Sequence, residues 1–257
     1  MIRPLTLALL FAGLVPAAAA TGVIAKAGEK LRYDNCLKET VSNPAAALDL
    51  ATKWNNGGPP AQHCAALALV GLKRYSEAAQ KLDALGRAPG MGELRPALFD
   101  QAGNAWLLAG EISKAIASFE GALALSSRDP DTYVDLARAQ AMQSDWPDVE
   151  SDLNAALSLS PNRIDLLVLR ASARRAQNLL TEARADIQSA LAISPGNPDA
   201  MLERGSIERD SGNFVKARAD FQSTLKLRPS PQTEDAAQRN LAALDAAQKA
   251  ATPPKKK

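Results

Sequence analysis

One histidine and two cysteines in 257 residues exclude much of enzyme chemistry. A metal centre wants three or four ligands, and this chain has no His/Cys cluster to supply them. His63 adjoins Cys64, but neighbours along a helix point about 100° apart, so the two do not make a nucleophile and its base. There is also no glycine-rich phosphate loop and no serine motif of the hydrolase kind. The expectation is a protein that is not an enzyme, with no cofactor and no metal. Aromatic residues are scarce too, 4% against 46% hydrophobic, so alanine and leucine must do most of the packing. That composition suits closely approaching helices better than a β-sandwich, which draws on β-branched and aromatic residues. Beyond the first fifteen residues no apolar run approaches the roughly 20 residues of a membrane span.

The N-terminus reads as a leader. Arg3 precedes an apolar stretch from Leu5 to Val15 and a run of alanines, with small residues at both Ala18 and Ala20. This is the anatomy of a cleavable secretory signal peptide over residues 1–20, cut between Ala20 and Thr21. The first cysteine, Cys36, lies too far on to take a lipid anchor. The mature chain is therefore expected in the periplasm or outside the cell, an oxidising setting. Setting aside Arg3 and the terminal Lys255, Lys256 and Lys257, 26 basic residues stand against 28 acidic ones. A body so close to balance does not read as a nucleic-acid surface. The basic tail, residues 251–257, is expected to be frayed, and membrane contact is expected only through it.

A repeat organises the rest. Gly103, Ala137, Ala171 and Gly205 recur every 34 residues, as do Ala115, Val149, Ala183 and Ala217. Phe119, Leu153, Ile187 and Phe221 keep the same interval, and Pro161, Pro195 and Pro229 mark the turns. Each unit holds two apolar stripes at helical spacing, such as Phe99, Ala102, Gly103 and Trp106, then Ile112, Ala115, Ile116 and Phe119. Gly110 and Gly212 break the helical run between stripes, and Ser144 and Asn178 do so by weaker means. Asp129-Pro130 and Asn197-Pro198 are helix-start signals. Four regular units span 96–231, two degenerate hairpins precede them within 21–95, and one amphipathic helix over 232–250 is expected to cap the last.

This order of small, aromatic and proline positions at a 34-residue period resembles the tetratricopeptide repeat family. The resemblance implies an all-α superhelix of stacked helical hairpins whose first helices line a groove for a protein or peptide. Transferring that groove pattern selects Asp100, Asn104, Arg138, Arg175 and Arg209, with Val134, Met142 and Ser206 among their neighbours. The guanidinium groups would suit an acidic side chain or a terminal carboxylate; alternatively they pair with Asp135, Glu203 and Asp210. The resemblance also places Cys36 and Cys64 in adjacent first helices, where a structural disulfide or two buried small hydrophobes are both open. The function implied is a non-catalytic scaffold or adaptor of the bacterial cell envelope. The alternative is a structural or regulatory subunit of a permanent envelope enzyme complex.

Overall fold

The computed structural model describes residues 27–251, and they form thirteen α-helices with no strand among them. The expected signal peptide lies outside the described residues, as does the tail from residue 252 on. The chain parts into two compact units after Ser144. The N-terminal unit contains α1 (Ala27–Ser42), α2 (Pro44–Thr52), α3 (Gly58–Gly71), α4 (Tyr75–Arg87), α5 (Arg95–Leu108), α6 (Ile112–Leu125) and α7 (Pro130–Met142). The C-terminal unit contains α8 (Trp146–Leu159), α9 (Ile164–Ala176), α10 (Leu180–Ile193), α11 (Pro198–Asp210), α12 (Phe214–Lys226) and α13 (Pro231–Ala251). Within the units, α1, α3, α5, α9 and α11 are the first members of hairpins.

The starts of these helices follow from local chemistry. Asn43 accepts a hydrogen bond from the Ala46 amide at 3.2 Å, Asp129 from Asp131 at 3.0 Å and Asn197 from Ala200 at 2.8 Å. In all three a proline follows the cap, where its missing N–H leaves no partner wanting. From α3 onward, the turn after each odd-numbered helix up to α11 passes through one left-handed residue: Lys73, Gly110, Ser144, Asn178 or Gly212, all with φ between 60° and 79°. Only two of these are glycine, so the turn is imposed on residues that resist it.

Within a hairpin the small residue of the first helix faces the large one of the second. A Cβ on Gly103 would lie 2.5 Å from the Phe119 ring, and one on Gly205 would lie 2.6 Å from Phe221. Where the inserted residue is the slimmer Ile187, the crossing position is Ala171. Size at one position sets what the other tolerates, as close packing demands.

The N-terminal unit has two apolar clusters, one of Tyr33, Cys36, Trp54 and Cys64 among alanines, the other running from Leu69 through Leu82, Trp106 and Phe119 to Leu136. The extra residues between α4 and α5 form a 3-10 turn at Gly92–Leu94, and Arg95 reaches back to the Gly86 carbonyl at 2.9 Å. In the C-terminal unit Ile187 and Ile207 pack with Ala171 and Ala183, while Phe221, Ala217 and Leu244 pack together. Leu244 belongs to α13, which lies against α11 and α12 and covers their apolar surface as expected of a capping helix.

Candidate functional site

In the N-terminal unit the first helices are tied side chain to side chain. Cys36 on α1 and Cys64 on α3 form a disulfide, with their Cα atoms 6.1 Å apart, so both thiols are consumed. One turn before Cys36, the Tyr33 hydroxyl meets Nδ1 of His63 at 2.5 Å; Nε2 of His63 meets Oε1 of Gln101 on α5 at 2.7 Å. Gln101 Oε1 only accepts, so Nε2 carries the hydrogen, and Tyr33 donates to a bare Nδ1. Burial lowers the His63 pKa, the Gln101 bond opposing it, which keeps that neutral form. His63 therefore bridges three helices rather than holding a metal.

Farther along, Nδ2 of Asn104 donates to the Asp100 carbonyl at 3.2 Å and to Asp135 Oδ2 at 3.0 Å, with Asp100 Oδ2 at 3.5 Å. Nη1 of Arg138 donates to Asp135 Oδ1 at 2.8 Å. Asp100 Oδ1 is buried without a hydrogen-bond partner. Its carboxyl is pushed up to about 7 by burial first and by Asp135 second; Asp129 and Asp131 add to the push and the Thr132 hydroxyl opposes it.

In the C-terminal unit, Arg175 of α9 binds Glu203 of α11 at 2.6 Å and Asp210 at 3.0 Å. Arg209 binds Asp210 at 2.8 Å and Asn240 of α13. Glu203 is buried, which raises its carboxyl pKa, and the charge of Arg175 works against that rise. The five selected side chains thus divide between the two units, and all three arginines are paired within the chain. An open anion-gripping track of arginines is not what the fold presents; the pairing alternative is. Val134 and Ser206 are buried rather than turned to a groove, whereas Met142 is exposed.

A second polar tier escaped the sequence reading. Arg170 forks onto Asp186 of α10, and Arg174 joins Asp186 to Glu150 of α8. Arg204 forks onto Asp220 in the same way. The signal was available: Arg170 and Arg204 stand one period apart, as do Asp186 and Asp220, each acid sixteen residues after its arginine. Beside Arg204 and Asp220, with Glu208 and Lys216, lies a surface depression of about 320 Å³. Among the described residues no group of three or more His, Cys, Asp or Glu side chains is placed to hold a metal ion, and no helix is long and apolar enough to cross a membrane.

A family model described as tetratricopeptide repeat matches residues 134–198 and again 168–232. None of the curated protein sequences matches the chain. Among solved structures, a segment of MamA from Desulfovibrio magneticus RS-1 is similar with a TM-score of 0.58 at 15% identity, covering 66% of this chain and 94% of that one. YrrB, described as a tetratricopeptide protein with an unusual peptide-binding site, gives 0.57 at 18% identity over 75% of this chain and 98% of its own. TTC0263, a tetratricopeptide protein of Thermus thermophilus, gives 0.54 at 18%, covering 73% and 99%. At these identities the likeness is one of fold. Together with the repeat matched twice, it shows tetratricopeptide repeats over residues 134–232 and, for the chain, a fold of stacked helical hairpins like that of these proteins.

Proposed function

We propose that the protein is a non-catalytic adaptor of a bacterial cell envelope that binds a peptide or a partner protein on its first-helix faces. Tetratricopeptide-repeat proteins are in general interaction scaffolds, and YrrB, a neighbour in fold, is described as having a peptide-binding site. The observation that carries the reading is the cross-linking of consecutive first helices by Tyr33–His63–Gln101, Asp100–Asn104–Asp135 and Arg175–Glu203. Side chains fixed by such bonds lose little freedom when a guest arrives, which is what preorganisation contributes to affinity. An envelope location is supported by the leader pattern at residues 1–20 and by the Cys36–Cys64 bond, since disulfides persist in oxidising compartments.

A photo-crosslinking residue placed at the exposed Met142 of α7, and separately at the exposed Glu120 of α6, tests this in native envelopes. Partner capture is expected from position 142 and not from 120. Arg138→Glu removes the bond to Asp135 and should weaken that capture at a temperature where the variant is still folded. Equal capture from both positions, or capture indifferent to Arg138→Glu, would dispose of the reading. Mass measurement of the mature chain, expected to begin at Thr21, checks the envelope assignment.

A further inference from the structure

We propose that Asp100, Asn104 and Asp135 form a proton-operated latch between α5 and α7: with a proton on Asp100 the three side chains hold the two helices together, and its loss lets them part. The inference concerns the junction itself and does not depend on what the face binds.

The argument begins with an oxygen that has nothing to bond. Asp100 Oδ1 is buried and partnerless, Oδ2 has the long contact with the Asn104 amide, and the Thr132 hydroxyl offsets the burial of the carboxyl only in part. A neutral carboxyl left in that position loses one modest hydrogen bond, whereas an ionised one leaves a charge desolvated and unanswered. The surroundings supply no counter-charge to it. From α7 and its cap the groups facing Asp100 are Asp129, Asp131, Thr132 and Asp135. Arg138 is bonded to Asp135, and the Thr132 hydroxyl donates to Asp129 at 3.3 Å. On α3, His63 is bonded to Gln101. On α4, Asp83 accepts from Trp106 and Ser118, and Arg87 lies over the Phe99 ring. Arg95 is turned to the Gly86 carbonyl and Lys114 of α6 to the Trp106 ring. Among the described residues no cation is bonded to Asp100.

Asn104 joins the two helices. Its amide nitrogen serves Asp135 at 3.0 Å across the junction and Asp100 on its own helix. Between one neutral and one charged carboxyl this sharing is attractive throughout. Between two carboxylates the same amide must offset their mutual repulsion, and that repulsion acts across the junction of α5 with α7. The burial that raises the Asp100 carboxyl places the change near neutrality, within ordinary physiological range.

Two measurements on the full chain test this: carbon-detected NMR titration of the Asp100 carboxyl, and hydrogen exchange at pH 6 and 8.5 corrected for intrinsic rates. The carboxyl is expected to titrate near 7. Amides of α5 and α7 should lose about ten-fold or more of their protection at the higher pH, while those of α11 to α13 hold theirs. Asp100→Asn should keep high protection at both values. Should that variant fail to fold, Asp135→Asn takes its place, and removal of the like charge should lower the Asp100 midpoint. A midpoint near 4, protection indifferent to pH, a pH effect surviving in Asp100→Asn, or a midpoint unmoved by Asp135→Asn would each overturn the latch.

Discussion

The guanidinium of Arg170 forks onto the buried carboxylate of Asp186, Nε to Oδ2 at 3.0 Å and Nη2 to Oδ1 at 2.6 Å, while Arg174 reaches the same carboxylate at 2.9 Å. One acid therefore answers two half-buried cations between α9 and α10. Asp186→Ala leaves Arg170 with no carboxylate and Arg174 with Glu150 alone, and the expected cost is about 3 kcal/mol in a urea unfolding experiment. Asp220→Ala should cost less, because Asp220 binds one arginine, Arg204, whose side chain keeps 38% of its exposure.

Gly103→Ala drives a methyl into Phe119 and should destabilise by about 1–3 kcal/mol. Trimming the ring by Phe119→Leu makes room, so the double variant is expected to lose less than the two single losses added together. Strict additivity in that cycle would mean the crossing is not where the strain sits.

Arg175→Ala leaves Glu203 buried with no counter-charge, and about 2–4 kcal/mol should be lost at pH 8. Glu203 already stands above the usual carboxylate range in the native protein, and losing Arg175 raises it further. A raised acid keeps its full contribution below the unfolded value and loses it as pH climbs, so the penalty should shrink from pH 8 toward pH 4.5. Denaturant midpoints at three pH values check the slope.

His63 runs the opposite way. Its native pKa lies below the unfolded 6.5, so the unfolded chain takes up a proton first as pH falls. The stability it lends is complete above 6.5 and is lost on acidification through the native value. In His63→Gln the fall in stability between pH 8 and 5.5 should be smaller than in the wild type. Asp100 acts in the contrary sense over the same range, so the difference between the two proteins is the quantity to measure.

Reducing the Cys36–Cys64 bond opens a loop of 28 residues, a closure worth roughly 3.5 kcal/mol in chain-entropy models. The loss should be local. Hydrogen exchange is expected to quicken in α1 and α2 and to stay unchanged from α8 onward.

The hairpins were legible because their spacing is a direct consequence of what they must bury. Gly103, Phe119, Gly205 and Phe221 announce a crossing and its inserted ring at a fixed interval, and the fold honours each one. Caps at Asp129 and Asn197 were legible for the same reason, being local chemistry. Polar partnerships were harder to read. Arg175 meets Glu203 and Asp210 on the following hairpin, and nothing along α9 itself says whether a guanidinium will face solvent or a neighbour. His63 looked like an isolated curiosity until α1 and α5 brought Tyr33 and Gln101 to its two nitrogens. The left-handed turn at Ser144 and Asn178 showed only as a weak break, because an asparagine or serine there obeys its hairpin rather than its own preference.

The bond from His63 to Gln101 is the widest side-chain link described above, yet it spans only 38 residues. In each unit the principal helix contacts join a helix to the next or the next but one. Chains assembled from such short closures do not wait for distant ends to find one another. Unfolding under tension should accordingly proceed as a succession of small steps, one hairpin at a time, and not as a single rupture.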